Sequence, residues 1–246
     1  YKADKTLSQR ALQAKSYGNH QRLHHLPQLR TMQNNADEAN PFEGYFPSLG
    51  TPKMLVLLVE FPDYLHNESN SQSAINSKIF GEGNANSFPF ASHRAFYQRS
   101  SYNKLDIQGT VLDWYKTEYN RPLDDGTNAA QVKQQIIKEA IEHHDALGHD
   151  FSQYDNDGDG DIDYVAVIWT GPPGEWASLW WGTFSGFGDN SFTVDGKTIS
   201  TISWQWLAYS EGQAFSPLVL IHETGHALGL PDYYDYDDSI GPRGGT

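Results

Sequence analysis

The sequence predicts an α+β domain running from about residue 50 onward, and three features carry that prediction. Two continuous aliphatic runs, KMLVLLVEF (Lys53 to Phe61) and IDYVAVIWTG (Ile162 to Gly171), have the composition of strands buried on both faces. Between them, Asn128 to Leu147 places apolar residues at helical spacing over a long stretch. Near the C-terminal end, SPLVLIHETGHALGLPD (Ser216 to Asp232) opens like a helix and closes on a Gly-Leu-Pro turn.

At 246 residues, with 38% hydrophobic and 13% aromatic residues, the chain is long and apolar enough for a substantial core. No apolar run approaches the roughly 20 residues of a membrane-spanning helix. There are no cysteines. That excludes a disulfide scaffold, a cysteine nucleophile and a thiolate zinc site, so metal ligands must be His, Asp or Glu. The net charge of -14 argues against nucleic acid as a partner and is compatible with calcium binding. This charge is unevenly spread. In the first forty residues Lys2, Lys5, Arg10, Lys15, Arg22 and Arg30 face Asp4, Asp37 and Glu38, a balance of +3 that leaves -17 for the rest. Residues 1–50 therefore read as a basic N-terminal arm, either a flexible tail or a prosegment docked by charge on the acidic body of residues 51–246.

After the first strand, SQSAINSKIF (Ser71 to Phe80) and SHRAFYQRSS (Ser92 to Ser101) read as short helices, the second with Ser92 as N-cap. KLDIQGTVLDWY (Lys104 to Tyr115) alternates like a strand. The long helix carries Val132, Ile136, Ile137, Ala140 and Ile141 on one face and stops at Gly148. FTVDGKTIS reads as a hairpin turning at Asp195-Gly196, and TISWQWLAYS continues in extended form. Sheet and core packing accounts for most of Trp176, Trp180, Trp181, Trp204 and Trp206, the remainder lining a cleft. Outside the HETGH segment the histidines, among them His66, His93, His143, His144 and His149, read as surface polar groups.

In the HETGH segment, Ser216 is placed to cap the helix and Pro217 to occupy its first position. His222 and His226 are four residues apart, so both imidazoles leave one face and can hold one zinc ion, while Glu223 is placed to accept a proton from water at that ion. Gly229 can end the helix in the left-handed conformation and swing the chain back so that Asp232 completes three protein ligands, leaving a position for water or substrate.

These residues, written HExxHxxGxxD, resemble the metzincin-like zinc peptidases, and HETGHALGLPDYYD looks most like the immune inhibitor A family of secreted bacterial metallopeptidases. KMLVLLVEFPD, FYQRSSYNKLDIQGTVLDWY and DFSQYDNDGDGDIDYVAVIWTG are similar to that family as well. The resemblance implies a zincin/metzincin-like catalytic domain with a twisted mixed sheet, a backing helix and an active-site helix. It further implies a secreted, extracellular zinc endopeptidase made as a zymogen and acting on proteins or peptides, with His222, His226 and Asp232 on zinc and Glu223 as general base. Such domains carry a methionine turn after the third ligand, yet the methionines here are Met32 and Met54. The domain is thus expected to be cut short before that turn, or to be completed by a cleaved C-terminal chain of the same precursor. Where the family often has a W-S-H-like segment, this chain has SLWWGTFSGFG, so no transition-state-stabilising residue is assigned.

In DNDGDGDID, Asp155, Asp157, Asp159, Asp161 and Asp163 alternate around Gly158 and Gly160, a spacing suited to a structural calcium ion. It follows the first nine positions of an EF-hand loop, but Ala166 stands where the bidentate Glu belongs and a strand follows instead of a helix. The alternative function, from a different class, is a non-catalytic secreted calcium-dependent binding or adhesion module that keeps the zincin-like shape.

Overall fold

The computed structural model describes residues 45–86 and 88–232. The arm through residue 44 and the aspartates Asp235, Asp237 and Asp238 lie outside the described residues. Five strands, β1 (Lys53–Glu60), β2 (Gln108–Lys116), β3 (Asp161–Trp169), β4 (Thr183–Gly186) and β5 (Thr198–Trp206), form one sheet in the order β2-β1-β3-β5-β4. The first four in that order run parallel, and β4 pairs antiparallel with β5 at the edge. The α-helices among the described residues are α1 (Gln72–Phe80), α2 (His93–Ser100), α3 (Ala129–Ala146) and α4 (Leu218–Ala227). This is the α+β architecture with a mixed sheet that the sequence predicts, with α3 as the backing helix and α4 as the helix that carries His222 and His226.

β1 and β3 are central, which is why their sequences are aliphatic without alternation. Leu55, Leu57, Val59, Val165, Val167 and Trp169 meet Ile136, Ile137, Ala140 and Ile141 of α3 on one face. Met54, Val56, Leu58, Tyr164, Ala166 and Ile168 meet Ile75, Ile79, Tyr97, Leu220 and Ala227 of the other three helices on the opposite face. Ser92 caps α2 as predicted, its hydroxyl accepting from the Ala95 N–H at 3.0 Å, a contact worth about 1 kcal/mol in a typical helix. α3 ends where Gly148 takes a φ of 84°. The packed body also reaches back past residue 50: Phe46 is fully buried, and its N–H donates to the Ala227 carbonyl at the end of α4.

Several expectations are corrected. β2 begins at Gln108, not Lys104, because Leu105 makes only an isolated bridge to Gly50. Asp195 and Gly196 do turn with positive φ between the bridged pair Val194 and Lys197, but the incoming arm forms no longer ladder. The antiparallel neighbour of β5 is instead β4, inside the SLWWGTFSGFG segment that the sequence left without a structure. Ser216 does not cap α4: Pro217 takes that place and its carbonyl receives the Ile221 N–H. Finally, His93 and His144 are buried, not surface groups.

Candidate metal centre

On α4, His222 and His226 sit one turn apart, with their rings nearly perpendicular and the Nε2 atoms 3.2 Å from each other. The helix then closes with a paired reversal. The Gly229 N–H donates to the His226 carbonyl and the Leu230 N–H to the Gly225 carbonyl, each at 2.9 Å, with Gly229 at a φ of 92°. That reversal carries Asp232 back to the helix face, where its Oδ1 stands 3.2 Å from both Nε2 atoms. The three donors thus mark a triangle with equal sides. A tetrahedral zinc ion with bonds of about 2.0–2.1 Å needs donors roughly 3.3–3.4 Å apart, so these side chains fit zinc with almost no movement. Two imidazole nitrogens and one carboxylate oxygen are also a chemistry zinc accepts, whereas calcium asks for six or more oxygens.

The three donors are held from outside the triangle. His226 Nδ1 lies 2.9 Å from the Leu230 carbonyl oxygen; that oxygen can only accept, so Nδ1 carries the hydrogen and Nε2 presents its lone pair inward. Asp232 raises the pKa of His222; at His226 burial pushes downward, and Asp232, Glu223 and the Leu230 carbonyl together carry the pKa above its ordinary value. The His222 side chain is 48% exposed against 11% for His226 and 4% for Asp232, so the triangle opens to solvent on the His222 side.

A polar network fixes α4 from beneath. Thr224 Oγ1 meets His93 Nε2 at 2.9 Å and the Tyr164 hydroxyl at 3.1 Å, Tyr164 also bonds Ser203 Oγ at 2.9 Å, and the Tyr97 hydroxyl donates to the Ile221 carbonyl at 2.6 Å. Burial pushes both phenols above their ordinary range and pushes the His93 imidazole down to about 3, so His93 is neutral.

Glu223 is buried beside the triangle. Its Oε1 lies 3.3 Å from where a Cβ on Gly182 would stand, and Val219 and Trp206 would crowd the same point at 3.0 and 3.3 Å. The missing side chain of Gly182 therefore leaves the space in which the carboxylate sits. Two residues on, Phe184 packs 6.2 Å from the His226 ring. None of His93, Tyr97, Tyr164, Gly182 or the Leu230 carbonyl is singled out by the sequence, because each reaches α4 from a distant segment or through its backbone.

In the acidic loop, one carboxylate oxygen from each of Asp155, Asp157 and Asp159 comes within 4.8 Å of the others. Asp161 and Asp163 turn away. Asp161 accepts from the Thr198 hydroxyl of β5, while Asp163 Oδ2 accepts the Asn156 backbone N–H at 2.8 Å and its side-chain N–H at 2.9 Å. Burial raises the Asp163 carboxyl to about 6. At Asp155 burial pushes upward too, but Lys197 at 2.7 Å and the N–H groups of Gly160 and Gly158 hold the carboxyl below its usual range. The sequence treated the five aspartates as equivalent. Pairing of β3 with β5 divides them, since Asp161 and Asp163 are already strand residues.

Comparison with known proteins bears on the same chain from a separate direction. The family model "Immune inhibitor A peptidase M6, catalytic domain" matches residues 45–168. Immune inhibitor A of Bacillus thuringiensis subsp. alesti is 26% identical over 236 residues, covering 75% of this chain and 34% of that protein. The pre-pro-metalloprotease PrtV of Vibrio cholerae serotype O1 (strain M66-2) is 24% identical over 240 residues, covering 75% of this chain and 25% of PrtV. The chain thus spans between a quarter and about a third of the length of these relatives. The crystal structure of metalloproteinase-II from Bacteroides fragilis aligns over 82% of this chain and 50% of that one, at 16% identity and a TM-score of 0.33. The family match ends at residue 168, well before His222, so it does not draw on the three-donor triangle. With half its length covered by that match, the chain belongs to the immune inhibitor A (M6) family of metallopeptidases.

Proposed function

We propose that this chain is the catalytic part of a secreted zinc endopeptidase that hydrolyses peptide bonds in proteins. The observation that carries this reading is the triangle of His222 Nε2, His226 Nε2 and Asp232 Oδ1 with 3.2 Å sides, beside the buried Glu223. His222, His226 and Asp232 would hold the zinc. When bound, zinc supplies Lewis acidity to a water and to the scissile carbonyl. Glu223 accepts the proton that the attacking water sheds and delivers it to the amine nitrogen as the C–N bond breaks. The short strand β4, at the sheet edge among the described residues and with Phe184 packed near His226, would pair through its outer side with an extended peptide.

The three clustered aspartates would take a calcium ion with a structural role, in competition with Lys197 for Asp155. Secretion and synthesis as a zymogen accord with the pre-pro-metalloprotease relative.

The test joins elemental analysis to cleavage of casein. One equivalent of zinc is expected, with activity abolished by chelation; Glu223→Ala should keep the zinc and lose at least ~10²-fold in rate. Zinc retained without cleavage by the parent chain would leave the binding-module reading in its place. Near-normal turnover in Glu223→Ala would refute the role given to that carboxylate.

A further inference from the structure

α3 faces the sheet with an apolar stripe that one residue interrupts. Lys133 stands three and four residues before Ile136 and Ile137, is only 6% exposed, and donates from Nζ to Thr183 Oγ1 at 2.9 Å. The ammonium lies 5.8 Å from the Trp204 ring centroid, and among the described residues Thr183 is its hydrogen-bond partner. Such a placement is costly. Burial pushes the lysine down to about 8, and the charges working against that push are first Glu223 and then Asp124. A methionine would fill the same stripe without the desolvation cost, so packing does not account for the lysine.

Thr183, 1% exposed, opens β4. Side chains alternate across a strand, so Thr183 points toward α3 while Gly182 and Phe184 point toward α4, where they adjoin Glu223 and His226. β4 is four residues long and, among the described residues, hydrogen-bonds within the sheet only to β5. Its position across the sheet therefore depends on what holds it from behind.

We propose that Lys133 is a positioning residue: through Thr183 it pins the start of β4 from the far side of the sheet, so that Gly182 seats the Glu223 carboxylate beside the metal-ligand triangle. The proposal rests on the peptidase reading above. Displacing a reacting group by about 1 Å can cost up to ~10²-fold in rate, so slack in this strand would be felt in turnover.

The variants Lys133→Met and Thr183→Val, alone and combined, test this in the zinc-loaded protein. The steady-state constants on a peptide substrate, zinc content, thermal unfolding and a crystal structure of Lys133→Met are measured. Zinc should stay at one equivalent, KM should hold within about twofold, and kcat should fall roughly tenfold or more in each single variant. The double variant should be no worse than either single one, because both act through one contact. Lys133→Met should also unfold at a higher temperature than the parent, and greater stability with lower kcat is not what loss of a merely structural contact produces. In its crystal structure, the Glu223 carboxylate and Gly182 should have moved apart. Values of kcat within twofold of the parent in both variants, or an unmoved Glu223 in Lys133→Met, would overturn the proposal. If Lys133→Met fails to fold, Thr183→Val decides by the same kcat criterion. If the zinc-loaded parent cleaves nothing, the peptidase reading fails, and the crystallographic displacement alone then judges the role of Lys133.

Discussion

Acid should loosen α4 through His93, and the size of the effect follows from its surroundings. His93 is fully buried, its Nε2 2.9 Å from Thr224 Oγ1 on α4 and its ring 5.1 Å from that of Tyr97. Burial lowers its pKa from 6.5 to about 3. The unfolded chain therefore binds one proton more than the folded chain between those values, and stability is lost as pH falls through that window. At about 1.36 kcal/mol per pH unit the full loss is roughly 5 kcal/mol, of which about 3 kcal/mol falls between pH 7 and pH 4. His93→Gln keeps a side chain able to reach Thr224 but cannot take up a proton in this range. The variant will be less stable than the parent at pH 7, since it fits the site less well, but its loss on going to pH 4 should be smaller by about 3 kcal/mol. Urea unfolding at pH 7, 5 and 4, followed by tryptophan fluorescence, measures both slopes. Parallel pH dependence of the two proteins would refute the claim that His93 is neutral and sealed beneath α4.

Replacing Gly229 with Ala puts a side chain at a φ of 92° and should destabilise the fold by about 1–2 kcal/mol, weakening zinc binding as the Asp232 return is disturbed; a metal titration with a competing chelator reads this. Asp232→Ala should cut zinc affinity steeply, whereas Asp235→Ala should leave the stoichiometry unchanged at micromolar metal, both measured by elemental analysis after dialysis. Calcium at about 100 times its dissociation constant should add roughly 2.7 kcal/mol of stability, and Asp157→Asn with Asp159→Asn should abolish that gain. A melting temperature indifferent to calcium and chelator would reduce the loop to an acidic turn.

The sequence by itself determined the parts whose physics is local. Strands buried on both faces must be aliphatic throughout, which made β1 and β3 legible, and the apolar spacing of Ile136, Ile137, Ala140 and Ile141 did the same for α3. The three-donor triangle was legible for the same reason: four residues bring two histidines to one face, and a glycine able to adopt positive φ returns the chain within six residues to Asp232. Tertiary structure decided what depends on contacts between distant segments. β4 is short and mixed in composition, and only pairing with β5 makes it a strand. His93 and His144 have the same side chain as His143, and burial alone sets them apart, because side-chain chemistry does not say which face of a helix meets the core. Lys133 did leave a trace, a charge on an apolar stripe. What it points at, a threonine fifty residues later with Glu223 on the other side of the strand, exists only once the sheet has closed over α3.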